Sequence, residues 1–322
     1  MSVSPLAAPG IEVIELRNVR SEDLLPVLDE ETATWREALD WDFSPSAELV
    51  TRFVGMQALS GFAFLVNGRV AGYSYYISEE RKGLIGDVYI LKAERTVARE
   101  NRLIEAVLDA LVEDGMVRRV ESQLMMIEGP LDRPMPYSRK LRVFGRTFMM
   151  READGKRIGR GPASDRILLE PWRDERNEEA AQLIGMAYHG HIDSYINDQY
   201  QSIAGARRFL LNIVQYPGCG RFFQPASFLA FDRETGQPCG LILGSLVAET
   251  VGHITQICVA PQMRRRGIGH ELLRSALERM EEYGCRKTSL TVTSVNEGAI
   301  RLYEDLGFRR MREFAAHVWD GF

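Results

Sequence analysis

The run Ile257-Cys258-Val259-Ala260-Pro261-Gln262-Met263-Arg264-Arg265-Arg266-Gly267-Ile268-Gly269-His270 reads as a strand end, a short basic loop and a helix start. A helix N-terminus leaves its first backbone N–H groups without intrahelical acceptors, and its dipole favours negative charge. Gly267 and Gly269 lack Cβ atoms, so a ligand can approach the main chain, and Arg264, Arg265 and Arg266 add positive charge at the rim. The chemistry on offer is the binding of a phosphate or pyrophosphate. Other phosphate and hydrolase motifs do not account for the run. A dinucleotide fingerprint would need glycine where Leu272 stands. No G-x-x-x-x-G-K-[ST] string and no G-x-S-x-G elbow occurs. His270-Glu271-Leu272-Leu273-Arg274 opens like the zinc-protease H-E-x-x-H, but Arg274 replaces the second histidine.

Two further groups could move protons. His253 lies on the strand before the loop, 13 residues ahead of Arg266, and an imidazole suits a base at neutral pH. Glu249 is a second candidate, and a chain of water molecules is a third. Tyr188-His189-Gly190-His191-Ile192-Asp193-Ser194-Tyr195 sets two histidines, two tyrosines and an aspartate between two helices, a set able to bind an amine. Its H-x-H also suits a metal, but no further ligand is spaced to complete a site, so no metal is expected.

Two segments together, VAPQMRRRGIGHELL and the later NEGAIRLYEDLGF, resemble the GNAT superfamily of acyl-CoA-dependent N-acyltransferases. The signature R/Q-x-x-G-x-G/A is filled by Arg264, Gly267 and Gly269, and the resemblance extends over about Ile167 to Val318. It implies that the backbone of Ile257, Cys258 and Val259 pairs with the pantetheine arm of acetyl-CoA like an added strand. It implies that the amides of Arg265, Arg266, Gly267, Ile268, Gly269 and His270 hold the pyrophosphate and that Asn296 contacts the donor. Tyr303 occupies the place of the tyrosine that protonates the leaving thiolate. The resemblance favours His253 as base over Glu249, and it puts Tyr188, His189, His191 and Tyr195 over the acceptor pocket. An amine attacking a thioester needs little covalent help. It needs both reactants aligned, one proton removed and one supplied to sulfur.

Apolar Ile268, Leu272, Leu273, Ala276, Leu277 and Met280 mark a helix from Gly267 to Tyr283, stopped by Gly284. Strands are expected over Ile167–Glu170, Ser227–Phe231, Gly240–Val247, Gly252–Val259 and Lys287–Thr293. Helices are expected over Asn177–Tyr188, Ser202–Gln215 and, from the capping box Ser294-Val-Asn-Glu297, up to Leu306. The first half repeats this order. Strands are expected over Ile11–Leu16, Phe62–Val66, Val70–Ile77, Gly86–Leu91 and Arg119–Met126, and helices over Glu22–Trp35, Ala47–Leu59 and Asn101–Asp114. At an offset of 169, Gly284 falls on Gly115, Leu277 on Leu108, Leu272 on Leu103 and Arg264 on Arg95. Gly267 then falls on Ala98 and Gly269 on Glu100, whose carboxylate would repel a phosphate, and prolines between 130 and 136 replace the last helix.

The expected fold is therefore α/β (α+β), with two GNAT-like domains, each a mixed, mostly antiparallel sheet flanked by helices. Residues 1–150 would be a degenerate copy, 151–165 a linker and 166–322 the catalytic domain. The 322 residues, 45% hydrophobic and 26% charged, exclude a disordered tail or a disulfide miniprotein, and a net charge of −5 argues against nucleic acid as a partner. No apolar run reaches the roughly 18 residues of a membrane span. The N-terminus has no basic and apolar leader pattern, and Cys219, Cys239, Cys258 and Cys285 form no C-x-x-C pair, so a reduced, cytoplasmic chain is expected. The expected activity is transfer of an acetyl group from acetyl-CoA to a primary amine of a small molecule or peptide. The alternatives are another acyl-CoA, or a CoA-binding sensor without turnover.

Overall fold

The computed structural model describes residues 10–113, 115–215 and 218–322, so the helix end expected at Asp114 lies outside the described residues. Two compact units emerge. The first comprises residues up to 39, 43–143 and 314–322, and the second comprises 40–42 and 144–313.

In chain order the first unit begins with β1 (Ile11–Glu15), α1 (Ser21–Leu39), α2 (Ser44–Gly55) and β2 (Gly61–Val66). It continues with β3 (Arg69–Glu79), β4 (Lys82–Ile90), α3 (Val97–Glu113) and β5 (Arg119–Gln123). Then come β6 (Leu141–Glu152), β7 (Ile167–Pro171), α4 (Asn177–Tyr188), α5 (Asp193–Ile196) and α6 (Ile203–Gln215). The remaining elements are β8 (Arg221–Phe222), β9 (Phe228–Asp232), β10 (Pro238–Ala248), β11 (Val251–Val259) and α7 (Ile268–Tyr283). The chain closes with β12 (Lys287–Thr293), α8 (Glu297–Asp305) and β13 (Arg309–Asp320).

In the second unit the strand order is β6-β12-β11-β10-β9-β7, with β8 also on β10. Along this path β11 and β12 run parallel, and the other described pairs, β6–β12, β10–β11, β9–β10 and β7–β9, are antiparallel. The apolar stripe of α7 packs on one face of this sheet with Ile242, Ile254 and Leu290. Helices α4 and α6 cover the other face, with Leu183, Ile184 and Leu210 packed in one cluster with Leu241 of β10. With both faces covered, β10 is an almost continuous apolar run. Each fully buried leucine contributes about 2 kcal/mol.

The first unit has the order β1-β2-β3-β4-β5 followed by the end of β13, with α3 packed on it through Leu103, Ile104, Val107 and Leu108. Its parallel pairing runs from Lys82↔Arg119 to Ile85↔Ser122, and that of the second unit from Val251↔Lys287 to Ile254↔Leu290. Residues 82 to 85 and 251 to 254 differ by the offset of 169 that aligns the two sequences, and their partners 119 to 122 and 287 to 290 differ by 168, so the same parallel pairing recurs one residue out of step with that offset.

The units do not follow the expected divisions at 150 and 166. β6 and β13, absent from the sequence reading, are exchanged. β6 pairs with β12 from Lys287↔Glu152 to Thr293↔Arg146, and the end of β13 pairs with β5. The expected linker is also more than a connector. Arg151 and Glu152 belong to β6, and the Gly161 N–H donates to the Glu271 carboxylate on α7.

Candidate active site

β11 carries a bulge. Leu243 pairs with Gln256 but Gly244 pairs with Ile254, which leaves Thr255 as the extra residue. Pairing with β12 stops at the same place, at Ile254↔Leu290, while β12 continues along β6. Beyond the bulge one edge of β11 is therefore open. In an antiparallel pair alternate residues bond the partner. The Ala260 N–H donates to the Cys239 carbonyl at 3.0 Å, so Ala260 and Cys258 face β10, while Ile257 and Val259 face the open edge. This corrects the expectation for Cys258, whose main chain is spent on β10. Its thiol is buried among the α4 and α6 contacts, and burial pushes its pKa up to about 12.

The two carbonyls on the open edge are already engaged. The Tyr188 hydroxyl donates to the Ile257 carbonyl at 3.2 Å, and Arg264 Nε donates to the Val259 carbonyl at 3.3 Å. Tyr188 was expected to touch the acceptor. Instead it ends a relay in which Tyr200 donates to Gln256 Oε1 (3.3 Å) and Gln256 Nε2 donates to Tyr188 (3.1 Å). Arg264 also donates to the Ala187 carbonyl, so its guanidinium ties the end of α4 to the end of β11 and does not line the loop as a free cation. What this edge offers a ligand is the N–H groups of Ile257 and Val259.

The edge leads to the loop before α7. Arg265 (φ +60°) and Gly267 (φ +84°) both take the left-handed conformation. The first helical bond is Glu271 N–H to the Gly267 carbonyl at 3.2 Å, and among the described residues no protein acceptor takes the amides of Arg265 to His270. That is the cradle a diphosphate fits. The glycines have an additional reason to be there. A Cβ on Gly267 would lie 2.7 Å from Pro162, and one on Gly269 would lie 3.2 Å from Leu302. Arg265 and Arg266 are exposed at the rim, and Ile268 is buried beneath. Asn296 caps α8, accepting from the Ala299 N–H at 3.3 Å.

Tyr303, on the inner face of α8, is buried and packs against Phe308. Burial, reinforced by the negative charge of Asp193, raises its pKa and keeps the phenol protonated, while Arg146 acts in the opposite sense. The residues around it were mostly missed by sequence reasoning. Arg146 on β6 donates to Thr293 Oγ1 at 2.6 Å and to Asp193 Oδ1 at 3.2 Å, and Thr293 donates to the same carboxylate. Arg146 fell in the half read as degenerate, so nothing in the local pattern linked it to Asp193.

His253 is only 7% exposed, between Trp41 (5.1 Å) and Phe148 (6.5 Å), and its Nδ1 shares a hydrogen with Ser289 at 2.9 Å. It sits where β11 is paired on both sides, before the bulge. Burial lowers its pKa to about 4, so it is a poor proton acceptor at neutral pH and has a packing role instead of the base's role. Glu249 is exposed in the β10–β11 turn, at the far end of β11 from Val259, roughly 30 Å away along the strand. Neither expected base is at the open edge. His189 is exposed just past α4, and Tyr195 is 46% exposed on α5. His191 accepts the Asp193 N–H at Nδ1 (3.2 Å), and this nitrogen lies 3.7 Å from Asp193 Oδ2.

In the first unit the matching bulge leaves Gly86 as the extra residue. There the helix start is closed. The Glu100 N–H donates to the Thr96 carbonyl, the Arg99 N–H donates to Thr96 Oγ1, and the Glu100 carboxylate lies against arginines.

The acetyltransferase (GNAT) family model matches residues 196–308. An N-alpha-acetyltransferase of Sulfurisphaera tokodaii is 38% identical over 71 residues, which are 22% of this chain and 42% of that protein, so the match spans under half of the relative. A GCN5-related N-acetyltransferase structure from Sphaerobacter thermophilus superposes with a TM-score of 0.65 at 19% identity, covering 96% of this chain and 95% of that one. A tandem GNAT protein from the clavulanic acid biosynthesis pathway does so with a TM-score of 0.56 at 15% identity, covering 97% and 98%. At these identities the two structures establish the fold.

Proposed function

We propose that this enzyme, whose residues 196–308 are a GNAT acetyltransferase domain, moves an acetyl group from acetyl-CoA to a primary amine. The observation that carries the reading is continuity. The open edge of β11 past Thr255 runs directly into the unsatisfied amides of Arg265 to His270, and Tyr303 lies within electrostatic reach of Tyr188, whose hydroxyl meets the Ile257 carbonyl on that edge. The donor supplies an activated thioester. The chain's own groups position it: the N–H groups of Ile257 and Val259 face its arm, and the amides before α7 receive its diphosphate. As the acceptor nitrogen bonds to the carbonyl carbon, the C–S bond breaks, Tyr303 supplies a proton to sulfur, and the nitrogen releases one to solvent.

The name of the Sulfurisphaera relative makes the α-amino group of a peptide the first acceptor to try, with small-molecule amines second. Cys239, Cys258 and Cys285 are buried free thiols, which supports a reducing, cytoplasmic setting. The test is release of free CoA thiol from acetyl-CoA across peptides, amino acids, polyamines and aminoglycosides. Thiol release with an amine and an acetylated product supports transfer. Calorimetric CoA binding with no release in any arm would favour a CoA-binding sensor.

A further inference from the structure

We infer that the acceptor amine is seated as a cation on Asp193 Oδ2, and that Arg146, delivered by the exchanged strand β6, is the positioning residue that fixes this carboxylate. The inference rests on the acetyl-transfer reading above and names the acceptor side of that site. The two oxygens of Asp193 are used unequally. Oδ1 takes hydrogen bonds from Arg146 (3.2 Å) and Thr293, and Thr293 is itself held by Arg146 at 2.6 Å. This closed triangle fixes the carboxylate in direction. Among the described residues, Oδ2 takes no hydrogen bond from a protein donor and meets His191 Nδ1 at 3.7 Å. Because that nitrogen already accepts the Asp193 N–H, it has no proton to offer Oδ2 while the ring is neutral.

The groups within reach of Asp193 are Arg146 on β6, Thr293 on β12, Tyr303 on α8, Tyr188 on α4, Tyr200 before α6 and His191 on its own loop. Arg146 is the one permanent cation of the set, and it is committed to Oδ1. An ammonium at Oδ2 completes the charge pairing and places its nitrogen near Tyr303; it gives up one proton to solvent to free the lone pair that attacks the thioester carbon, and a second as the amide forms. Arg146 Nε is also buried without a protein acceptor, an unmet donor that a carbonyl of a peptide acceptor would satisfy. Arg146 and Asp193 are 13% and 17% exposed in their side chains, so water competes weakly for the pair.

The test uses the full chain, acetyl-CoA, and two amine probes, tetra-alanine with a free amino terminus and spermidine. Arg146→Met and Asp193→Asn should each raise the acceptor KM about tenfold or more, while the acetyl-CoA Kd by calorimetry stays within about twofold. Because the two residues act as one unit, the double variant should be little worse than either single one. Arg146→Lys, which keeps the charge without the fork, should recover part of the loss. Unchanged acceptor KM in folded Arg146→Met, strictly additive losses, or an equal loss of acetyl-CoA affinity would overturn the inference while leaving acetyl transfer intact. A wild-type chain that binds acetyl-CoA but releases thiol with neither probe would overturn the reading for these amines and the inference with it.

Discussion

Arg133 Nη1 lies 2.7 Å from Glu100 Oε2, at the helix position in the first unit that Gly269 holds in the second. Both side chains are nearly inaccessible, at 4% and 6%. Arg133 also donates to the Glu128 carbonyl at 3.0 Å and to Asn101 at 3.3 Å. The loop that replaces the last helix thus supplies a cation to the spot where the second unit leaves room for an anion.

Removing Arg133 strands a buried carboxylate. Arg133→Met should destabilise the first unit by about 3–5 kcal/mol, and adding Glu100→Gln should return much of it, since breaking one side of a buried pair costs more than replacing both. Urea unfolding of the single and double variants measures this. Equal midpoints for wild type and Arg133→Met would refute the pairing.

Gly267→Ala forces an L-residue to φ +84° and puts its Cβ 2.7 Å from Pro162. The left-handed conformation alone costs about 1–2 kcal/mol. The loop should shift, and acetyl-CoA affinity should fall about tenfold by calorimetry, an effect that an Arg265→Ala change at the exposed rim should not match.

Tyr303→Phe keeps the ring packed against Phe308 and removes only the hydroxyl. If that hydroxyl protonates sulfur, kcat should fall by about 10²–10⁴ with acetyl-CoA binding retained. Steady-state kinetics at pH 7 and 9 distinguish this from a packing defect, which would change the melting temperature instead.

His253 makes folding sensitive to acid. It titrates at about 4 when folded and near 6.5 when unfolded, because burial disfavours the imidazolium. Between these values the unfolded chain takes up a proton that the folded chain refuses. The stability present above pH 6.5 therefore declines as pH falls to about 4, by up to about 3 kcal/mol. His317 in the first unit, also held down to about 4 by burial, acts in the same sense. Urea midpoints from pH 7 to 4.5 should fall, and His253→Phe should flatten part of the slope. Ser289 would keep its bond to the Gly252 carbonyl at 3.3 Å in that variant. An unchanged slope would mean that His253 charges readily in the folded protein.

Much of this was legible in one dimension. The apolar stripe of α7, the left-handed stop at Gly284, the capping asparagine of α8 and the strand-loop-helix run from Ile257 to His270 are local patterns, set by periods of 3.6 and 2 and by residues that tolerate positive φ. The repeat at offset 169 was visible for the same reason. Other features depended on partners far away in the chain. His253 looked like a base because sequence reports residue type, whereas its pKa is set by Trp41, Phe148 and Ser289, brought to it from distant segments. Glu249 looked adjacent because it is close in sequence, but extended chain carries the ten residues to Val259 roughly 30 Å.

What the sequence by itself determined is the chemistry available: a glycine-bearing helix start rimmed by arginines in the second half, its loss in the first at Ala98 and Glu100, and a tyrosine at 303. What only the tertiary structure decided is which groups meet. Pairing of β6 with β12 takes Arg146 from the first half of the chain to Asp193 and Thr293, with Asp193 47 residues further on and Thr293 147. The physical reason is that a strand's own residues declare its faces, while its neighbour is chosen by long-range pairing whose signal is spread across the whole sheet.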